Sequence, residues 1–108
     1  MNRESFLGFV LDQLRDFDEV SDRAMFGGHG LYWREVFFGI VYKSRLYLKT
    51  DETTQEQYVA LGMKPFQPNA KQTLRSYYET PADVVENDEK LCQWARQAVA
   101  CQQRAANS

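Results

Sequence analysis

At 108 residues, with 44% hydrophobic and 26% charged side chains, the chain has room for one modest core and too little for two, and its composition excludes a disordered polymer. A formal charge of −2 excludes the strong overall basicity of a domain that holds nucleic acid by charge alone, although a local basic patch stays open. No apolar run approaches the roughly 18 residues that cross a bilayer, and Met1-Asn2-Arg3-Glu4-Ser5 leads into an acidic amphipathic segment instead of a secretory leader, so a cytoplasmic protein with no membrane association is expected.

Phe6, Leu7, Val10, Leu11, Leu14 and Phe17 recur at three- and four-residue spacing and predict a first helix over 4–17, with Ser5 as a cap. Asp12, Asp16, Asp18, Glu19 and Asp22 crowd its end, where carboxylates oppose the helix dipole and must be solvated or paired with bases elsewhere. From Arg23 the period changes to two, and aromatic and β-branched residues predict strands over 24–28, 30–33, 36–42 and 45–49. The connections Arg34-Glu35 and Lys43-Ser44 are too short for a parallel crossover, so the strands form an antiparallel meander. Strict alternation puts Leu46 and Leu48 on the core side of the fourth strand, and Arg45, Tyr47 and Lys49 on the other. In the third strand it puts Phe38, Ile40 and Tyr42 on one face and Phe37, Gly39 and Val41 on the other. Both faces being apolar, that strand is expected to be covered twice, by helices or by a partner subunit.

Thr53-Thr54-Gln55-Glu56 has capping-box spacing and predicts a second helix starting near 51–53 and ending at Gly62, a left-handed terminator. Lys64-Pro65-Phe66-Gln67-Pro68-Asn69 suits only a sheet edge or a loop, and 72–79 resumes strand character. Thr80-Pro81-Ala82-Asp83 reads as a cap, a proline at the first helical position and an acidic residue, opening a short helical turn. A last helix starts at Asn87 or Asp88 with Leu91, Trp94, Ala95, Ala98 and Val99 on one face. It frays into a polar tail over 103–108 that is expected to be disordered, leaving one domain over 1–102. Cys92 and Cys101 lie nine residues apart in this helix, about 13.5 Å along its axis, too far for a disulfide within it, which suits a reducing compartment. The order of elements predicts an α+β domain: an N-terminal helix, a β-meander, a middle helix, a further strand and a C-terminal helix packed on the sheet.

The stretch Ala24-Met25-Phe26-Gly27-Gly28-His29-Gly30 tests the chemical readings. A dinucleotide fingerprint needs a third glycine and a following helix, whereas Leu31-Tyr32-Trp33 continues as strand. His29, the single histidine, has no nucleophile in a recognisable catalytic context and no ligand set for a metal, so no catalytic residue, cofactor or metal is assigned. The glycines read instead as a strand-to-strand bend that leaves Met25 and Phe26 to the core. Charge is segregated: residues 1–22 carry two bases and six acids, and residues 23–50 carry Arg23, Arg34, Lys43, Arg45 and Lys49 against Glu35. The halves can neutralise each other, or Lys43, Arg45 and Lys49, with Tyr47 among them, form a patch for an acidic partner. Tyr77, Tyr78 and Trp33 can line a small-molecule pocket, but in a small domain such aromatics fill the core or an interface.

Met25-Phe26-Gly27-Gly28-His29-Gly30-Leu31-Tyr32, Leu46-Tyr47-Leu48-Lys49-Thr50-Asp51, Lys64-Pro65-Phe66, and Ser76-Tyr77-Tyr78-Glu79-Thr80-Pro81 leading to Trp94-Ala95 follow one another over about residues 4–100. Each piece is weak alone, but in this order and spacing the chain resembles the TfoX N-terminal domain family of bacterial proteins. The resemblance implies an α+β domain linked to positive regulation of DNA-uptake competence genes alongside other transcription factors. It brings no catalytic residue, and it makes Met25, Phe26, Gly27, Gly28, Gly30, Tyr77, Tyr78, Pro81 and Trp94 family-motif positions. Longer regulators of this type carry a second, helical domain. Arg34-Glu35 lacks the Asp-Gly or Asn-Gly that members often show, so this hairpin is expected to be looser or of another type. The expected function is a non-enzymatic regulatory domain that binds a protein, a second copy included. The alternatives are nucleic-acid binding through the basic patch and a small-molecule-binding domain.

Overall fold

Helix gives way to sheet a few residues before the two-residue period sets in at Arg23 in the computed structural model, which describes residues 3–25 and 27–107. The elements are α1 (Arg3–Gln13), β1 (Val20–Met25), β2 (Gly28–Trp33), β3 (Val36–Tyr42), β4 (Arg45–Lys49), α2 (Gln55–Ala60), β5 (Pro65–Asn69), β6 (Gln72–Glu79), α3 (Ala82–Val85) and α4 (Asp88–Ala106). Among the described residues the strands form one six-stranded antiparallel sheet in the order β1-β2-β3-β4-β6-β5. The fold is α+β, with α4 packed on β3 and β4.

The helices lie on one face of the sheet. Val10, Leu14 and Phe17 from the N-terminal segment and Leu91, Ala95, Ala98 and Val99 from α4 close on Leu31, Phe38, Val41, Leu46 and Leu48. Each such large side chain taken fully from water stabilises the fold by about 1.5–3 kcal/mol. Gln13 ties the end of α1 to α3 by donating from Nε2 to the Val85 carbonyl at 3.0 Å. The helix stops at Gln13, short of the predicted Phe17, and the chain continues in tight turns, with Leu14 bonded to Val10 and Phe17 to Leu14. Carboxylates at a helix C-terminus disfavour further α-helix, yet Leu14 and Phe17 stay buried.

The third strand departs from strict alternation. Leu31 faces Gly39 and Tyr32 faces Phe37, so Phe38 is an extra residue opposite a single step of β2, a β-bulge. The bulge sends Val36, Phe38 and Val41 to the helix-covered face and Phe37, Ile40 and Tyr42 to the other, which corrects the predicted assignment. Cover on the second face comes from the sheet itself: Ile40 is fully buried among Tyr47, Phe66, Tyr77, Phe37 and Tyr42. Phe66 reaches over β6 to meet the Tyr47 ring at a tilt with centres 4.6 Å apart and the Tyr42 ring edge-on at 5.2 Å, where the β5–β6 register slips.

Lys43 and Ser44 both adopt positive φ, 49° and 61°, the primed-turn geometry that matches strand twist. At Arg34-Glu35 only Arg34 is positive, at 55°, so this hairpin is of a different type. β1 begins at Val20 instead of residue 24, because pairing along the whole of β2, from Val20 with Trp33 to Met25 with Gly28, overrides the polar run Ser21-Asp22-Arg23. The bend therefore falls at Gly27, with φ 78°, and Gly28, His29 and Gly30 lie inside β2. Phe26 lies outside the described residues.

The second helix is not capped by the predicted box. Thr54 is its N-cap residue without a side-chain cap bond, and Asp51 instead accepts from the Thr53 amide at 2.9 Å. Gly62 ends it as predicted: with φ 78°, it donates to Val59 while Met63 donates to Tyr58, the paired bonds of a Schellman motif. Proline-bounded β5 is a sheet edge, one of the two places the sequence allows it. Pro81, not Thr80, is the N-cap residue of α3, because the Thr80 amide still serves the sheet by donating to the Leu46 carbonyl at 2.8 Å. Asn87 caps α4 by accepting from the Lys90 amide. α4 continues through Ala106, beyond its predicted end, where Arg104 is held by Asp51 and Thr53.

Candidate functional site

Strand periodicity brings Arg45, Tyr47 and Lys49 to the helix-free face of β4. The structure gives each a local partner. Arg45 Nη1 donates to Glu79 Oε1 at 3.0 Å, and Lys49 Nζ donates to Ser76 Oγ at 2.9 Å while lying 5.2 Å from the Tyr77 ring centre. Lys43, in the turn, lies 5.4 Å from the Tyr42 ring. Tyr47 is buried beneath them, and burial, then the charge of Glu79, raises its phenol above the ordinary range. Across the sheet, Arg23 stacks 4.5 Å from the Tyr32 ring and pairs with Glu35. The face is thus a continuous aromatic surface, Tyr32 to Phe37 at 5.2 Å and Phe37 to Tyr77 at 5.4 Å, flanked by cations of which Arg23 and Arg45 carry their own carboxylates.

Among the described residues Arg34 binds Glu19 across the two halves, whereas Arg15 with Asp12 and Arg23 with Glu35 pair within them. His29 points to the helix-covered face. Its Nδ1 is shielded from solvent and 3.3 Å from Asp22 Oδ2, outside hydrogen-bond geometry. Among the described residues no three His, Cys, Asp or Glu side chains gather in a group that could hold a metal, and no helix is long and apolar enough to cross a membrane.

The family-motif positions do not converge on one place. Met25 covers Gly30, whose added Cβ would lie 2.5 Å from the methionine sulfur, on the helix-free face. Tyr77 belongs to that face, and burial raises its phenol. Tyr78 points the other way onto Tyr58, which Trp94 meets edge-on at 4.7 Å. Gly27 supplies the turn, Gly28 packs beneath Val41 and Tyr42, and Pro81 opens α3.

One concavity escaped sequence reasoning. A groove of about 460 Å3 runs between α1, the start of β4 and α3, lined by Phe6, Phe9, Leu46, Thr80, Val85 and Glu86 among others. Its sequence signal is Phe9, an aromatic outside the helical stripe of Phe6, Val10 and Phe17, which remains 37% exposed. Neither His29 nor Tyr77 lines it.

The profile of the TfoX N-terminal domain family matches residues 12–102, most of the chain and all of its strands. The chain belongs to the TfoX N-terminal domain family. This TfoX family is a regulatory one associated with competence regulation and is not a known enzyme family. No curated protein shows significant similarity to the chain.

Proposed function

We propose that this TfoX-type domain is a non-enzymatic regulator that works by binding a protein through the helix-free face of its sheet. The observation that supports this reading is the pairing of Arg45 with Glu79 and of Arg23 with Glu35 around an aromatic surface. Charges already matched by carboxylates offer phosphate groups little, whereas aromatic area with a polar rim is the usual composition of a protein contact. Competence regulation then proceeds through the bound protein, with a second copy of the chain as one candidate.

Photo-crosslinking tests the reading. A photoreactive residue replacing Tyr42 on this face is expected to give a discrete protein adduct in native cells, and one replacing exposed Val59 on α2 is not. Sedimentation of the isolated chain separates a second copy from a foreign partner. The nucleic-acid reading wins instead if DNA retention falls steeply with salt and is lost in Lys43→Glu/Lys49→Glu with the fold intact.

A further inference from the structure

We infer that the open edge of β1 docks an extended, basic segment of another protein, which adds as a seventh strand and sets a Lys or Arg side chain beside Asp18 and Asp22. This goes beyond the reading above and rests on a different surface. The two edges of the sheet differ. β5 is guarded, because Pro65 and Pro68 offer no amide and its register slips. β1 has neither a proline nor a slip, pairs with β2 in one unbroken register, and leaves Ser21, Asp22, Arg23 and Ala24 exposed. The phase of that ladder follows from the Arg34 amide, which donates to the Glu19 carbonyl at 3.0 Å. Bonded pairs alternate between antiparallel strands, so Ser21, Arg23 and Met25 serve β2, while the amides and carbonyls of Val20, Asp22 and Ala24 point to the open edge.

The side chains select the occupant. Asp22 lies opposite Leu31 and so on the helix-covered face, which a residue opposite it on an added strand would share. On that face a hollow of about 240 Å3 lies between the end of α1 and the start of β1. Small-molecule pockets start at roughly 300 Å3, so the hollow suits one long side chain better than a free ligand. Leu11, Leu14 and Val20 line it and offer apolar wall to an aliphatic stem. Among its charged groups Arg15 is held by Asp12 and Asp88, and Glu19 by Arg34. Asp18 has no basic partner among the described residues, and Asp22 meets the His29 ring at 3.3 Å. Two carboxylates over an apolar wall match a lysine or arginine that lays down its stem and keeps its charged head at the rim. A second copy fits poorly: pairing β1 with β1 about a two-fold axis, in either register that keeps most of the strand, opposes Asp22 to Asp22 or Arg23 to Arg23.

The probe is a capped threonine–valine heptapeptide with lysine at its centre, compared with its glutamate counterpart on the full chain by amide NMR shifts and hydrogen exchange. The lysine peptide is expected to shift β1 and the hollow saturably and to slow exchange at the Val20, Asp22 and Ala24 amides, with the glutamate peptide at least about tenfold weaker. Asp18→Lys/Asp22→Lys is expected to reverse that preference while the slowed exchange persists. Ala24→Pro removes an edge amide and no bond to β2, so it is expected to abolish binding with the spectrum of the remaining sheet unchanged. Shifts centred on the helix-free face, unchanged exchange at the three amides, equal binding of the glutamate peptide, or indifference to Asp18→Lys/Asp22→Lys would each overturn the inference. Protection of these amides that grows with chain concentration in the absence of peptide would overturn it as well, by giving the edge to a second copy.

Discussion

At Gly28, an added Cβ would overlap the carbonyl oxygen of Val41 across the β2–β3 ladder and sit 3.1 Å from the Tyr42 ring. Valine favours strands by a fraction of a kcal/mol, but a clash with backbone has no flexible atom to yield, so sterics decide. Gly28→Val is therefore expected to cost about 2–3 kcal/mol and lower Tm by roughly 10–20 °C. His29→Ala removes a half-buried ring with no hydrogen bond at Nδ1 and is expected to cost less than about 1 kcal/mol; thermal melts of both variants check the contrast. The glycine cluster was visible in the sequence as a place where backbone needs room. That the room is needed against Val41 was not, because only the strand register brings the two together.

Among the elements, the β3–β4 hairpin carries two adjacent residues, Lys43 and Ser44, in the left-handed region. Each L side chain there is disfavoured by about 1–2 kcal/mol, partly offset by the entropy that glycine loses on folding. Replacing the pair by Asn-Gly is expected to raise stability by about 1 kcal/mol, measurable as a higher urea midpoint at unchanged m-value. Strands β3, β4 and β6 were legible to the residue, since clean apolar patterns and two-residue connections leave few registers. The end of α1 and the starts of α2 and α3 were not. Each is settled by a distant partner or a competing bond: Thr80 to Leu46, Asp51 to Thr53 and Arg104, Gln13 to Val85.

Over the whole molecule, Asp51 joins the loop before α2 to the last turns of α4. The Thr53 hydroxyl, and after it the Thr53 amide and Arg104, hold its carboxyl below the ordinary range against the opposing effect of burial. A depressed carboxyl contributes stability that is complete above its unfolded value near pH 4 and drains away as pH falls toward the folded value. Urea unfolding is expected to show Asp51→Asn weaker than the parent by about 1–2 kcal/mol at pH 7, with the difference shrinking below about pH 4.

The candidate surfaces divide in the same way. Alternation along β4 placed Arg45, Tyr47 and Lys49 together on one face, and the ordered motifs identified the TfoX N-terminal family; both depend on spacing within the chain. Whether those cations stand free depends on Glu79 and Ser76, about thirty residues away, and the groove depends on α1 meeting α3 across the chain. By itself the sequence determined the kinds of element, most of their order and the family, because periodicity, glycine and proline act locally. Only the tertiary structure decided the bulge at Phe38, the self-covering aromatic face, the pairing of Arg45 with Glu79 and the groove at Phe9, because each arises where the register sets distant residues side by side.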